Sequence, residues 1–355
     1  MRVLALLPYP TGRVPGQRYR IEQWAPFLLR EGVEVVCSPF LAPAAMDVLY
    51  QTGHSLAKAQ GTVAGYLRRL REALLSALPD VIFVYREAAL LGPAWLERIF
   101  AWRKPLVFDF DDAIYLQDTS VANAWARALK SPGKTAALCR LAHGVTVGNE
   151  TLAAFARQHA ARVTVIPSSI DTDRYRPPER APNRRPVVGW TGSLTTLRYL
   201  EELLPTLRRL RQTCDFELRV IGGEVRADGL DVSCLPWRAS TEVADLGTLD
   251  VGLMPLADDP WSRGKCGMKA LQYMGLAIPA VVSPVGANTE IVRDGVNGFW
   301  AKSPEEWVDR LTLLLRDSGL RKRLGQAARH TVEQEYSARV QAPRLAQVLR
   351  QAAAS

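Results

Sequence analysis

Two lysines and a glutamine carry the most suggestive spacing in the chain. In "WSRGKCGMKALQYMG" (Trp261 to Gly275), Lys265, Lys269 and Gln272 stand at i, i+4 and i+7. A helix that starts early enough would put all three on one face. Gly264 and Gly267 flank Lys265 and Cys266, and a helix is predicted from about Met268. Between Thr151 and Ala301 these are the only lysines among many arginines, so a compact ammonium is wanted there rather than any cation. A glycine turn running into a helix presents free N–H groups to an anion, a phosphate above all. The plain alternative is a charged helix face.

Three other clusters are candidates. "GWTGSLTTLRYL" (Gly189 to Leu200) ends a strand in a glycine turn, where Gly192, Ser193 and Arg198 are placed to meet a phosphate. It is not GxGxxG, so it is no dinucleotide fingerprint. "VFDFDDAIYL" (Val107 to Leu116) sets Asp109, Asp111 and Asp112 at a strand's carboxyl end. Alternation puts Asp109 and Asp111 on one side and Asp112 on the other. Their chemistry would be sugar-hydroxyl contact, general-base work or metal binding, against simple turn capping. "PTGRVPGQRYRIEQ" (Pro10 to Gln23) offers Gly16, Arg18 and Arg20, with Arg13, to an acceptor or an anionic group. Glu290 in "VGANTEIVRDGVNGFW" either favours a helix dipole or lines a site. The four histidines form no HExxH group.

The elements that must position these residues alternate. "RVLALLPY", "VEVVCSPF", "DVIFVYR", "PLVFDFD", "GVTVGN" and "RVTVIPS" read as strands, separated by helical patterns such as "RYRIEQWAPFLLREG", "PAWLERIFAWR" and "ARALKSPGKTAALCRLA". Continuous apolar strands alternating with helices predict an α/β parallel sheet covered on both faces. "IDTDRYRPPERAPNRRP" (Ile170 to Pro186) has no apolar period and reads as a linker. "PVVGWTG", "FELRVIGG", "VGLMPL", "IPAVVSPVG" and "GFWA" then start the rhythm again, followed by a helical tail from Pro304. The expected organisation is a Rossmann-like domain over 1–170 joined by a C-terminal helix over 337–355, a linker over 171–186, and a second Rossmann-like domain over 187–336. Ligands of open α/β sheets bind at the carboxyl ends of the strands, so a cleft between the two domains is the expected site.

The 355 residues suffice for two cores. No apolar run reaches membrane-spanning length, and "MRVLALLPYP" reads as a buried strand rather than a signal peptide. Five scattered cysteines without ligand spacing fit reduced thiols in a cytoplasmic protein. The net charge of +9 suits an anionic substrate or an acidic membrane surface. With no zinc-finger or RNA-binding pattern, nucleic acid is not expected as a partner. "YLRRLREALLSAL" (Tyr66 to Leu78) is basic and amphipathic, which suits either domain packing or peripheral contact with the inner membrane.

Taken together, the chain resembles the GT-B-fold glycosyltransferases, most closely the retaining family-4 nucleotide-sugar enzymes. "VIPSSIDTDRYRP" resembles the family's VIPNGVDxxxFxP, "GWTGSLTTLRYLEEL" its VGRLxxxKGxxxLL, and "ALQYMGLAIPAVVSPVGANTEIVRDGVNGFW" its EAMAxGxPVVAsxxGGxxEIVxdGxxGxL. The resemblance implies transfer of a sugar from a nucleotide-diphospho-sugar to a glycan or lipid-linked acceptor, with no metal or other cofactor required. It places Gly192, Ser193, Arg198, Lys265, Gly267, Met268, Lys269, Gln272 and Glu290 on the donor, and Asp109, Asp111 or Asp112 near the sugar. The departures are specific. The family's two signature glutamates fall on Gly264 and Gln272, its diphosphate arginine on Ser193, its lysine on Arg198, and a common histidine on Asp111. "KCGMKALQYM" is similar to a recurring variant of the superfamily. Two other readings follow from these residues. One is a non-catalytic nucleotide-sugar-binding scaffold. The other is a metal-dependent GT-A transferase using Asp109-Phe110-Asp111, which predicts a single nucleotide sheet. An epimerase of the same fold would ask for acid/base histidines that are not evident.

Overall fold

A computed structural model describes the protein except for residues 50, 52, 76–78, 117–130, 132 and 180. The first part of the predicted helix "ARALKSPGKTAALCRLA" and the end of the amphipathic stretch Tyr66 to Leu78 therefore lie outside the described residues. The chain divides into two compact units, Met1–Ser168 with Gln341–Ser355, and Ser169–Val340.

The first unit holds six strands: Arg2–Leu7 (β1), Glu34–Pro39 (β2), Val81–Tyr85 (β3), Leu106–Phe110 (β4), Gly144–Val147 (β5) and Val163–Val165 (β6). They form one parallel sheet in the order β2-β1-β3-β4-β5-β6. Every residue of β3, β4 and β5 is buried, as the unbroken apolar runs require of a sheet covered on both faces. The order reverses between β1 and β3, so the loops after these strands leave in opposite directions. The segment "RYRIEQWAPFLLREG", expected as one helix, is three pieces: Pro15–Arg20, a 3₁₀ turn Glu22–Trp24, and Ala25–Arg30. Ile21 leaves the helical region at φ −146°, and Pro26 brings no N–H to continue the ladder.

The second unit repeats the plan with Val187–Thr191 (β7), Glu217–Ile221 (β8), Val232–Leu235 (β9), Val251–Met254 (β10), Ala280–Val282 (β11) and Gly298–Trp300 (β12). The parallel order is β12-β11-β10-β7-β8-β9. That is the Rossmann order, with its switch point between β7 and β10. The amphipathic helix Leu197–Arg211 lays Leu200, Leu203, Leu204, Leu207 and Leu210 on a core shared with Trp307, Leu311 and Leu314 of the helix Pro304–Arg316. Residues 171–186 are part of this unit: Tyr175 is buried there and donates to Glu242 at 2.8 Å. No described helix is long and apolar enough to cross a membrane.

Candidate active site

In the second unit, the turns after β7 and β10 flank the switch point. The turn after β7 is held from within. Ser193 and Thr196 form a reciprocal capping box, with the Ser193 N–H donating to Thr196 Oγ1 at 3.1 Å. The Gly192 N–H is spent on Ile221 O at 3.0 Å, so it is not one of the anion donors expected there. Gly192 has a steric role instead: a Cβ would come within 2.4 Å of the Trp190 ring and 2.6 Å of Thr196 Oγ1. Arg198 is exposed and stacks on Tyr199 at 4.9 Å. Tyr199 in turn shares a 2.9 Å hydrogen bond with Ser262, which ties the two turns together.

The turn after β10 differs from its sequence-based reading in one respect. Gly267 is left-handed at φ 67° and caps the helix Met268–Gly275, so Lys265 lies outside the helix. The expected common face of Lys265, Lys269 and Gln272 is not formed. Lys265 Nζ sits 5.5 Å over the Trp261 ring, and Lys269 Nζ 5.7 Å over Trp190. Each ammonium is thus held on an indole face, one on either side of Gly267. The first N–H groups of the helix, at Met268 and Lys269, have no intrahelical acceptor. Gln272 turns the other way. It is 5% exposed, and its Nε2 donates to Glu242 Oε1 at 3.2 Å and Tyr175 Oη at 3.3 Å. Trp237 Nε1 donates to the same Glu242 oxygen at 2.9 Å. Gln272 is therefore held in a buried polar network with Glu242. Glu290 is exposed in the short helix Asn288–Ile291.

The first unit gathers charge at its own switch point. Asp109 and Arg20, expected as separate site residues, pair with each other at 1% exposure. Arg20 Nε donates to Asp109 Oδ2 at 3.0 Å, its Nη2 grips Oδ1, and Thr146 Oγ1 donates to Oδ1 at 2.6 Å. Burial pushes the Asp109 carboxyl up, against the pull of Arg20 and Thr146. This pair serves the core rather than a ligand. Asp111 and Asp112, expected on opposite sides, share one partner, because β4 ends at Phe110 and alternation ends with it. Arg86 Nε donates to Asp111 Oδ1 at 2.8 Å and its Nη2 to Asp112 Oδ2 at 2.6 Å; Tyr85 Oη reaches Asp111 Oδ1 at 2.9 Å. Burial alone would raise the Asp111 carboxyl, but the Arg86 and Arg20 guanidiniums more than offset it and hold it below its usual value. Asp111 is an anion at neutral pH, not a proton donor. The two DFD carboxylates are thus committed to different arginines, and the two-sheet architecture overturns the single-sheet GT-A alternative.

Gly16 sits over this cluster. A Cβ there would come within 2.5 Å of Tyr85 Oη and 2.8 Å of Asp111 Oδ2. Arg18 is 7% exposed and donates to Tyr19 Oη at 2.7 Å, while Arg13 pairs with Asp47 at the surface. Sequence reasoning missed Arg86, a non-glycine at φ 57°. Such strain persists only where the surroundings hold it. It also missed Gln17 and Glu22, which pin the loop after β1: Gln17 Nε2 donates to Tyr9 O at 2.9 Å, and the Gly12 N–H to Glu22 Oε2 at 2.8 Å.

Comparison with known proteins bears on the fold and on the second unit. Residues 185–317 match the family model described as glycosyl transferases group 1. An uncharacterized glycosyltransferase of Methanocaldococcus jannaschii is 26% identical over 162 residues, 42% of this chain and 40% of that protein. A D-inositol 3-phosphate glycosyltransferase of Nocardia farcinica is 27% identical over 195 residues, 47% of this chain and 43% of that one. The matched stretch thus spans less than half of these curated relatives. Sucrose-phosphate synthase from Thermosynechococcus elongatus has a similar structure, with a TM-score of 0.70 at 17% identity, covering 100% of this chain and 99% of that one. HepE from Anabaena, in complex with UDP and glucose, gives 0.71 at 18% identity, covering 99% of each chain. The chain has the GT-B fold of two Rossmann-like domains, and over residues 185–317 it carries a glycosyl transferases group 1 domain.

Proposed function

We propose that this protein transfers a sugar from a nucleotide-diphospho-sugar to an acceptor in the synthesis of a glycan, polysaccharide or glycolipid. The observation that carries the reading is the pair of indole-seated ammoniums, Lys265 and Lys269, around the left-handed turn at Gly267. Fixed cations beside the N–H groups of a helix start stabilise the charge that grows on a departing diphosphate. Nothing in that role calls for a metal ion or another cofactor. Arg198, with the Ser193 turn, adds to the same anion site. Glu290 supplies a carboxylate for a sugar hydroxyl. The first unit takes the acceptor, with Asp111 and Asp112 as its anionic contacts and Gly16 leaving room beside them. Retention at the anomeric carbon and a family-4-like hexosyltransferase class rest on the resemblance of the motifs alone, and a cytoplasmic setting on the scattered, unpaired spacing of the cysteines.

Because the Anabaena neighbour is described with UDP and glucose, uridine-diphosphate sugars are the first donors to try. A panel of sugar nucleotides should raise the melting temperature for the true donor. Lys265→Ala should sharply reduce that shift and transfer while leaving the ligand-free melting curve unchanged. An unaltered shift and turnover would remove Lys265 from the donor site.

The scaffold reading keeps one specific support. Gly264 and Gln272 replace the two signature carboxylates, and Gln272 is engaged with Glu242 and Tyr175. Donor binding without transfer or hydrolysis across a broad acceptor panel would favour it.

A further inference from the structure

Three helices converge on the loop that follows β3, residues Arg86 to Ala94, and each takes hold of its main chain. From the helix Ser55–Leu75, Arg69 Nε donates to Ala88 O at 2.9 Å and Tyr66 Oη donates to Leu91 O. From the helix Trp95–Arg103, Glu97 Oε1 accepts from the Ala88 N–H at 3.0 Å. From the helix Lys134–Leu141, Lys134 Nζ donates to Ala89 O at 2.6 Å. Arg69 and Glu97 are fully buried, and Lys134 is nearly so. Lys134 Nζ also lies 3.4 Å from Glu97 Oε1 and 3.4 Å from Glu87 Oε2. Burial alone would lower the Lys134 ammonium, but Glu87 and Glu97 more than offset it and hold it above its usual value. Lys134 is a cation at neutral pH.

Two features of this loop cost stability. Arg86 is left-handed at φ 57°, and Glu97 Oε2, fully buried, has no hydrogen-bond partner among the described residues. An arrangement that served stability alone would put glycine at such a φ, where it brings no strain, and would satisfy both carboxylate oxygens. The chain keeps arginine instead. The Arg86 N–H still pairs with Asp109 O at 2.7 Å, as if β3 continued. The left-handed φ then turns the chain out of the sheet, and the guanidinium spans Asp111 and Asp112. A strained residue persists only where its surroundings over-determine it, and the bonds to Ala88 and Ala89 begin two residues further on.

We propose that Lys134 and Glu97 are positioning residues: by clamping Ala88 and Ala89 they hold Arg86 in its left-handed conformation over Asp111 and Asp112. The inference rests on the reading of these two aspartates as acceptor contacts. The pair acts on the acceptor side through the backbone of the loop. The groups that face Asp111 are Arg86 and Tyr85 from the end of β3, Arg20 from the helix Pro15–Arg20, and Asp109 and Asp112 from its own segment. Of these, Arg86 is the one that the clamp places.

The test is a double-mutant cycle on the full chain, read by urea denaturation at pH 7 and near pH 3. In the wild type, Arg86→Met should lower the urea midpoint more at pH 7 than in acid, because Asp111 is ionised at pH 7. In Lys134→Met, adding Arg86→Met should cost less than it does in the wild type, and nearly the same at both pH values. Glu97→Gln with Lys134→Met strands no buried Glu97 charge and should show the same loss of pattern. Lys134→Arg keeps the cation and should restore the wild-type pattern. A cost of Arg86→Met that is unchanged in Lys134→Met and in the neutral pair, or a failure of Lys134→Arg to restore it, would overturn the proposal. In the transfer assay, Lys134→Met should raise acceptor KM about tenfold and leave donor KM unchanged; a change in donor KM alone would also overturn it. The denaturation arm needs neither donor nor acceptor, so a failure of this proposal is told apart from a failure of the transfer reading.

Discussion

Arg20 closes on both oxygens of Asp109, and neither side chain is more than 1% exposed. A charge pair this deep fixes geometry at the carboxyl end of β4, where Asp111 and Asp112 begin the next loop. Removing one partner strands the other charge in the core. Asp109→Asn should therefore cost about 3–5 kcal/mol of stability, read by urea denaturation. Asp111→Asn, at the partly open Arg86 cluster, should cost much less stability and far more transfer. Similar stability losses for the two variants would remove this division of roles.

The Asp111 carboxyl is held below its usual value by Arg86 and Arg20 against burial. The sign follows from linkage. A carboxyl whose folded value is depressed adds stability above its unfolded value, about 3.9, and that stability is lost as pH falls through the folded value. Arg86→Met should then cost most at neutral pH, and its deficit against the wild type should shrink in acid. Paired urea titrations at pH 7 and near pH 3 measure this. A deficit that grows in acid would show that Asp111 is not the group involved.

The sequence makes the strands legible because buried parallel strands are unbroken apolar runs. It hides β9, whose short "VSCL" is broken by Ser233 and has no fully buried residue at the sheet edge. Helix periodicity suggested one face for Lys265, Lys269 and Gln272, yet a single left-handed residue at Gly267 takes Lys265 off the helix. Gln272 finds partners 30 and 97 residues away, and spacing along the chain carries no trace of them. Arg86 was readable only as the last letter of a strand. Its role depends on a strained φ and on two aspartates 25 and 26 residues on.

Lys265 and Lys269 are each seated on an indole, but they should not be equivalent. Lys269 rides on the helix over the buried Trp190, whereas Lys265 lies in the turn over the half-buried Trp261. Loss of one charge-assisted contact to a diphosphate is worth about 1.5–3 kcal/mol, or roughly 10- to 100-fold in affinity. Lys265→Ala and Lys269→Ala should each weaken UDP binding by that factor in isothermal titration. Lys265→Arg should restore less than the full affinity, because a planar guanidinium does not replace a compact ammonium. Full recovery with arginine would mean that only charge matters there.

Gly267 carries two separate constraints, and they can be told apart. Its φ of 67° disfavours any residue with a side chain, and a Cβ would come within 2.2 Å of Ile291 Cδ1. Gly267→Ala should lose on the order of 1–3 kcal/mol and shift the lysines that flank the turn, lowering UDP affinity as well. Ile291→Val removes the clashing methyl but leaves the backbone angle unchanged. Measured against Ile291→Val alone, adding Gly267→Ala should cost less than it does in the wild type, yet still about 1–2 kcal/mol for the left-handed conformation. If the two substitutions are simply additive, the contact with Ile291 is not what confines this position to glycine. If the double variant pays nothing for the alanine, the turn has relaxed out of the left-handed region. UDP affinity should then have gone with it.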